Sequence, residues 1–208
     1  MRFLFSRSIT LLPVLFLAFG LTTASTSQAE TTEATAVVES FHTVLLNTMK
    51  SAKKLGIKGR YDVLKPAITA AFDLQTTVRV AAGSAWRKAS DAEKGKLTKA
   101  FKHWSISNYA SQFKGYSGEG FKTHGERAGP QKTRLVKTDI ERVEDGPVGL
   151  TYVLKQKEKK WRIVDVLLEN SISQLAVRRS EYRGILAGGG IEKLVETLKT
   201  NSKQLLTP

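Results

Sequence analysis

A chain of 208 residues is long enough for one sizeable core, and its 33 basic residues against 19 acidic ones give a formal net charge of +14. It contains no cysteine, which excludes a disulfide framework, a thiolate metal site and a cysteine-borne lipid anchor.

The leading segment Met1-Arg2-Phe3-Leu4-Phe5-Ser6-Arg7 is basic, the run from Ile9 to Leu21 is almost wholly apolar, and Thr22–Ala29 turns small and polar. That is the plan of a secretory signal peptide, residues 1–29, cleaved after Ser27-Gln28-Ala29. The alternative is an uncleaved anchor, for which the run is short against the roughly 20 apolar residues of a span. No later run is long enough to cross a bilayer, so residues 30–208 are expected to form one exported, soluble domain. Its charge, +12 without Arg2 and Arg7, then points to anionic head groups, an acidic partner or cell-wall polymers rather than nucleic acid. Lys53-Lys54, Lys155–Lys160 and Arg178-Arg179 are the densest basic spots and read as solvated faces or turns.

After a frayed stretch through Ala34, Val37, Val38, Phe41, Val44, Leu45, Met49, Ala52 and Leu55 recur at helical spacing up to Gly56. Tyr61, Leu64, Ile68 and Phe72 predict a shorter helix with Pro66 in its first turn, and Asp73–Ala85 a third. Ser90-Asp91-Ala92-Glu93 is a capping box. It opens a helix carrying the aromatic stripe Phe101, Trp104, Tyr109 and Phe113, which is either core or a ligand wall. From Phe121 the period changes, and Thr133–Val143, Val148–Lys155 and Trp161–Leu168 read as antiparallel strands. The last of these is apolar on both faces, so it must be covered twice: by helices on both sides, or by helices on one and a ligand on the other. Helical patterns return from Ile172 to Leu186 and from Ile191 to Leu205, split by Gly188-Gly189-Gly190. The fold class is therefore α+β, a sheet of about four strands between N- and C-terminal helices.

Chemistry is sparse. His42, His103 and His124 lack metal-ligand spacing, so no metal is expected, and no nucleophile elbow, phosphate loop or dinucleotide fingerprint occurs. Glu144-Asp145, beside Gly146-Pro147, reads as a turn. Asp165 lies between Val164 and Val166 in the most apolar strand, either as a general acid or base or as a structural partner for an arginine or backbone donors.

Three runs, Arg79-Val80-Ala81-Ala82-Gly83-Ser84-Ala85-Trp86-Arg87, Lys160–Glu169, and Ile172-Ser173 with Arg179-Ser180-Glu181-Tyr182, resemble in identity and spacing the periplasmic lipid-binding proteins of the MlaC type, also called toluene-tolerance proteins. The likeness spans most of residues 37–206. Arg178 stands where that family has tyrosine, and Asn170-Ser171 where it commonly has glycine; these details resemble the hopanoid-associated HpnM branch. The resemblance implies a twisted antiparallel sheet wrapped by helices around an apolar lipid pocket, and a carrier rather than an enzyme, without cofactor. It would exchange phospholipid or hopanoid with an inner-membrane transport complex and, in the phospholipid branch, an outer-membrane complex. On that reading Val78, Trp86, Phe101, Tyr109, Phe113, Tyr152, Leu154, Trp161, Val164, Val166 and Ile172 are the expected pocket wall. Arg79 and Arg179 are expected at its mouth, or in a salt bridge with Asp165. Two other readings compete with it: a pocketed enzyme that uses Asp165, and a basic periplasmic scaffold that binds no lipid.

Overall fold

The computed structural model describes residues 32–207, so the signal-peptide reading of residues 1–29 lies outside the described chain. Helix α1, Glu33–Lys50, starts sharply because Thr32 accepts a hydrogen bond from the Thr35 N–H at 3.4 Å, where fraying through Ala34 was expected. Helix α2, Ala52–Ala71, follows after Ser51. It breaks at Gly56, whose φ of 60° and ψ of −177° suit only glycine. The chain is helical upstream of the apolar period that begins at Tyr61, so Pro66 lies inside α2 on an exposed position and not in a first turn.

Gly83, at φ 58°, divides the expected third helix into α3, Leu74–Ala82, and α4, Ser84–Lys88. Helix α5, Asp91–Gln112, opens on the expected capping box: Glu93 N–H donates to Ser90 Oγ at 3.3 Å, and Ser90 N–H to the Glu93 carboxylate at 2.8 Å.

The sheet has five strands in chain order, each antiparallel to the next: β1, Gly120–Ala128; β2, Arg134–Glu141; β3, Val148–Lys157; β4, Lys160–Leu168; and β5, Ile172–Ser173. Glu158 and Lys159, both at positive φ, make the tight β3–β4 turn. The count exceeds the expected four because Ile172 and Ser173 pair with Leu168 and Leu167 instead of opening the last helix. Ser173 is the N-cap of that helix, α6, Gln174–Leu205: its Oγ accepts from Ala176 N–H at 2.9 Å, which keeps the two residues extended. Helix α6 breaks at Gly189-Gly190, within the expected glycine run.

Two apolar clusters result. The sheet-side cluster joins α1, α2 and the C-terminal half of α5 to the sheet through Phe41, Leu64, Ile68, Ile106, Leu154 and Ile163. The helix-side cluster joins α3, α4, the N-terminal half of α5 and α6 through Val78, Leu97, Phe101, Leu194 and Leu198. Among the described residues, only α5 contributes buried residues to both clusters, and it sits between them as a strut.

Candidate functional site

A cavity of about 280 Å³ opens along α5 where the two clusters meet. One wall is the α5 stripe, in which Phe101, Trp104, Ser105, Asn108, Tyr109 and Gln112 follow the three-to-four-residue spacing of one helix face. Opposite stand Leu150 and Tyr152 of β3, Val164 and Val166 of β4, and Ile140 of β2, each strand presenting alternate residues to the same side. Phe72 and Leu74, from the end of α2 and the start of α3, close one end, and Gln174, Leu175 and Arg178 bring in the first turns of α6.

The aromatic side chains are held by one another. The Tyr109 ring meets Phe41 edge-on at 5.5 Å and Phe72 at 5.8 Å, and stacks on Phe113 at 5.8 Å. Tyr152 Oη lies 2.8 Å from Nε2 of the buried His42, whose ring stacks on Phe121 at 4.1 Å. Burial lowers the His42 pKa to about 4, so the imidazole is neutral at pH 7. Burial likewise pushes the Tyr109 and Tyr152 hydroxyls well above their ordinary range, and they stay protonated.

Asp165 faces the α6 end of the cavity with both oxygens engaged. Oδ1 accepts from Val166 N–H at 2.8 Å and from Leu175 N–H at 2.9 Å, and Oδ2 accepts from the Ser173 hydroxyl at 2.5 Å. It ties strand β4 to the N-terminus of α6, where negative charge is favoured by the helix dipole. This is the backbone-donor alternative for Asp165, and no arginine pairs with it among the described residues. The histidines are held apart: His103 Nδ1 lies 2.7 Å from Tyr61 Oη, and His124 Nε2 2.6 Å from Asp139.

Of the expected wall residues, the fold brings Phe101, Tyr109, Phe113, Tyr152, Val164 and Val166 to the cavity. Val78 and Trp86 lie in the helix-side cluster instead, because the inner face of α3 and α4 is turned to α5 and α6. Leu154 is fully enclosed in the sheet-side cluster, and Trp161 packs against that cluster from outside. Ile172, on the short edge strand β5, is exposed.

Neither expected mouth residue is at the cavity. Arg179 points to solvent, and Arg79 lines a separate polar groove with Asp73, Lys155 and Lys157. The cation on the cavity wall is Arg178, which donates to Glu181 at 2.7 Å and rests on the Trp104 ring at 4.5 Å. The expected wall omits Trp104, although it lies in the α5 stripe read as core or ligand wall, and Arg178, the departure from the family pattern. The rotation of α6 about its axis, which selects Arg178 over Arg179, depends on the Asp165 tie and on packing against α5.

The arrangement can accommodate an elongated apolar group against rigid aromatic and branched walls, with amides, hydroxyls and one guanidinium at its polar positions. No curated protein matches the chain. Among solved structures, its fold is similar to that of a phospholipid-binding protein from Ralstonia solanacearum, solved in complex with a phospholipid. The two agree with a TM-score of 0.73 at 19% identity, over 85% of this chain and 100% of that one. A family profile described as "MlaC protein" matches residues 25–200, most of the length, and the chain therefore belongs to the MlaC family.

Proposed function

We propose that residues 30–208, freed of a signal peptide, form a single-domain periplasmic lipid carrier that binds the hydrophobic part of a phospholipid or hopanoid and shuttles it between membrane transport complexes. The observation that carries this reading is the cavity between α5 and the sheet, whose apolar wall of Phe72, Tyr109, Phe113, Val164 and Val166 is only partly buried by protein. Membership of the MlaC family and the phospholipid named for the Ralstonia structure support the lipid as ligand. The engagement of Asp165 as a helix anchor supports a binding protein over an enzyme.

The physical need is plain. A lipid leaving a bilayer exposes its chains at about 0.8 kcal/mol per CH₂, so a sixteen-carbon chain costs on the order of 12 kcal/mol. An apolar cavity offsets most of that and requires shape rather than a catalytic constellation. No helix among the described residues is long and apolar enough to cross a membrane, which fits a carrier that moves between membranes. Phospholipid and hopanoid need the same apolar wall, and the HpnM-like departures at Arg178 and Asn170-Ser171 are the sequence features that keep the hopanoid in view.

The test is mass spectrometry of lipids extracted from the protein after detergent-free purification from the periplasm, against an unrelated basic periplasmic protein. A stoichiometric lipid is the expected result and would name the cargo. A lipid-free protein that also takes up neither phospholipid nor hopanoid from vesicles would end the reading.

A further inference from the structure

Arg178 and Trp104 border two cavities. Behind them, between α5 and α6, lies a second hollow of about 320 Å³ whose far side includes Tyr182, Thr197 and Asn201. Tyr182 is 4% exposed, and its hydroxyl has no hydrogen-bond partner. Buried hydroxyls almost always find a partner, so one without calls for an explanation. The other unpartnered hydroxyl among the described residues, Thr138, lines neither cavity. Burial pushes the Tyr182 pKa up, keeping its O–H a donor, and Arg178 and Glu181 are both close enough to influence it.

Arg178, Tyr182 and Asn201 thus place hydrogen-bond donors on a hollow lined also by Trp104, Ile185, Leu198 and the Glu181 carboxylate. The guanidinium fork of Arg178 has one arm on Glu181, whose side chain is 47% exposed, and such a solvent-facing pair contributes little stability. A phosphate engages the same fork more strongly and with matching geometry. We propose that the hollow is a phosphate subsite, in which an oxyanion takes the place of the Glu181 carboxylate on Arg178 and accepts the hydrogen bond that Tyr182 now lacks. Because Arg178 and Trp104 are shared with the larger cavity, the phosphate is that of a lipid whose chains lie along α5. The inference rests on the lipid-carrier reading in that respect.

Delipidated protein would be titrated with dipalmitoyl phosphatidylglycerol, with dipalmitoylglycerol, which has the same chains and no phosphate, and with glycerol 3-phosphate alone. Tyr182→Phe should weaken phosphatidylglycerol binding about tenfold and dipalmitoylglycerol by less than about twofold, the size of one charge-assisted hydrogen bond. The thermal midpoint of the unliganded variant should not fall, since the hydroxyl it loses was unpartnered. Equal weakening of both lipids, or of neither, would overturn the subsite and leave the carrier standing. Failure of both lipids to bind the unsubstituted protein would overturn the carrier. In that case, Tyr182-dependent binding of glycerol 3-phosphate would keep the phosphate site with a free ligand as its source, and no binding would overturn the site too.

Discussion

The best-enclosed residues of the sheet-side and helix-side clusters are equally buried, yet the space between the clusters is open. Phe41, Leu64, Ile68, Leu154 and Ile163 on one side, and Val78, Leu97, Leu194 and Leu198 on the other, are each at most 2% exposed. Along the seam, Trp104, Tyr109, Phe113, Val164 and Val166 remain partly buried. The cavity is therefore not a hole in one core. It is the gap left when two separately satisfied cores share α5 as a strut, with Leu97, Ala100 and Phe101 anchored on one side and Ile106 and Ala110 on the other. Interior residues of either cluster should then set stability, and seam residues should set binding.

The largest expected effect separates those two roles. Leu154→Ala empties a fully enclosed position between β2 and β4 and should lower the unfolding free energy by about 3 kcal/mol, measured by urea titration. The folded fraction should still retain lipid. Phe113→Ala, at the seam, should cost about 1 kcal/mol, because it loses a stacked neighbour and little enclosed volume. It should weaken lipid retention more than Leu154→Ala does. If Phe113→Ala proves as destabilising as Leu154→Ala, the seam is ordinary core and the comparison fails.

This division explains what the sequence made legible. Periodicity found the elements that carry their own signal: the Ser90–Glu93 cap, the α5 stripe, the doubly apolar β4 and the glycine break in α6. It found the α5 and β4 walls because alternate or helical spacing selects a face without knowledge of the partner. It could not assign Val78, Trp86 or Leu154 to cluster interiors, since an enclosed residue and a wall residue are equally apolar. Which neighbour closes over them depends on contacts distant in sequence. Arg178 was missed for a similar reason: the phase of α6 is set by Asp165 and Ser173, and two adjacent arginines do not reveal which one turns inward.

Between pH 7 and pH 5, acid should act through the sheet side. His42 is buried there, and its pKa of about 4 in the folded protein lies below the ordinary 6.5 of the unfolded chain. The unfolded state therefore binds the proton first, and the stability contributed by neutral His42 is fully present above 6.5 and is lost as pH falls toward 4. Burial also lowers the pKa of the half-buried His103, which adds in the same direction. Between pH 7 and pH 5 the loss from His42 should be about 2 kcal/mol, read from urea midpoints at the two values. The helix-side cluster holds Tyr182, whose raised pKa keeps it neutral throughout this range. His42→Gln should flatten the profile; if it leaves the profile unchanged, the acid sensitivity arises elsewhere and the asymmetry between the clusters is lost.

The smallest effect tests the link between the two sides. Asp165 sits on a sheet strand and holds the first turn of α6, so it fixes the distance between the cavity walls rather than packing either one. In Asp165→Asn the amide oxygen can still accept both backbone N–H groups, but the amide nitrogen cannot accept from the Ser173 hydroxyl. The loss should be about 1 kcal/mol, comparable to that of a helix cap. A loosened tie lets α6 and Arg178 move against β4, so lipid should dissociate faster than this small change in stability would suggest. An enzyme using Asp165 would instead lose turnover with its affinity for the apolar ligand intact. Stopped-flow release of a fluorescent lipid separates the two, because a structural tie changes the off-rate and a catalytic acid does not.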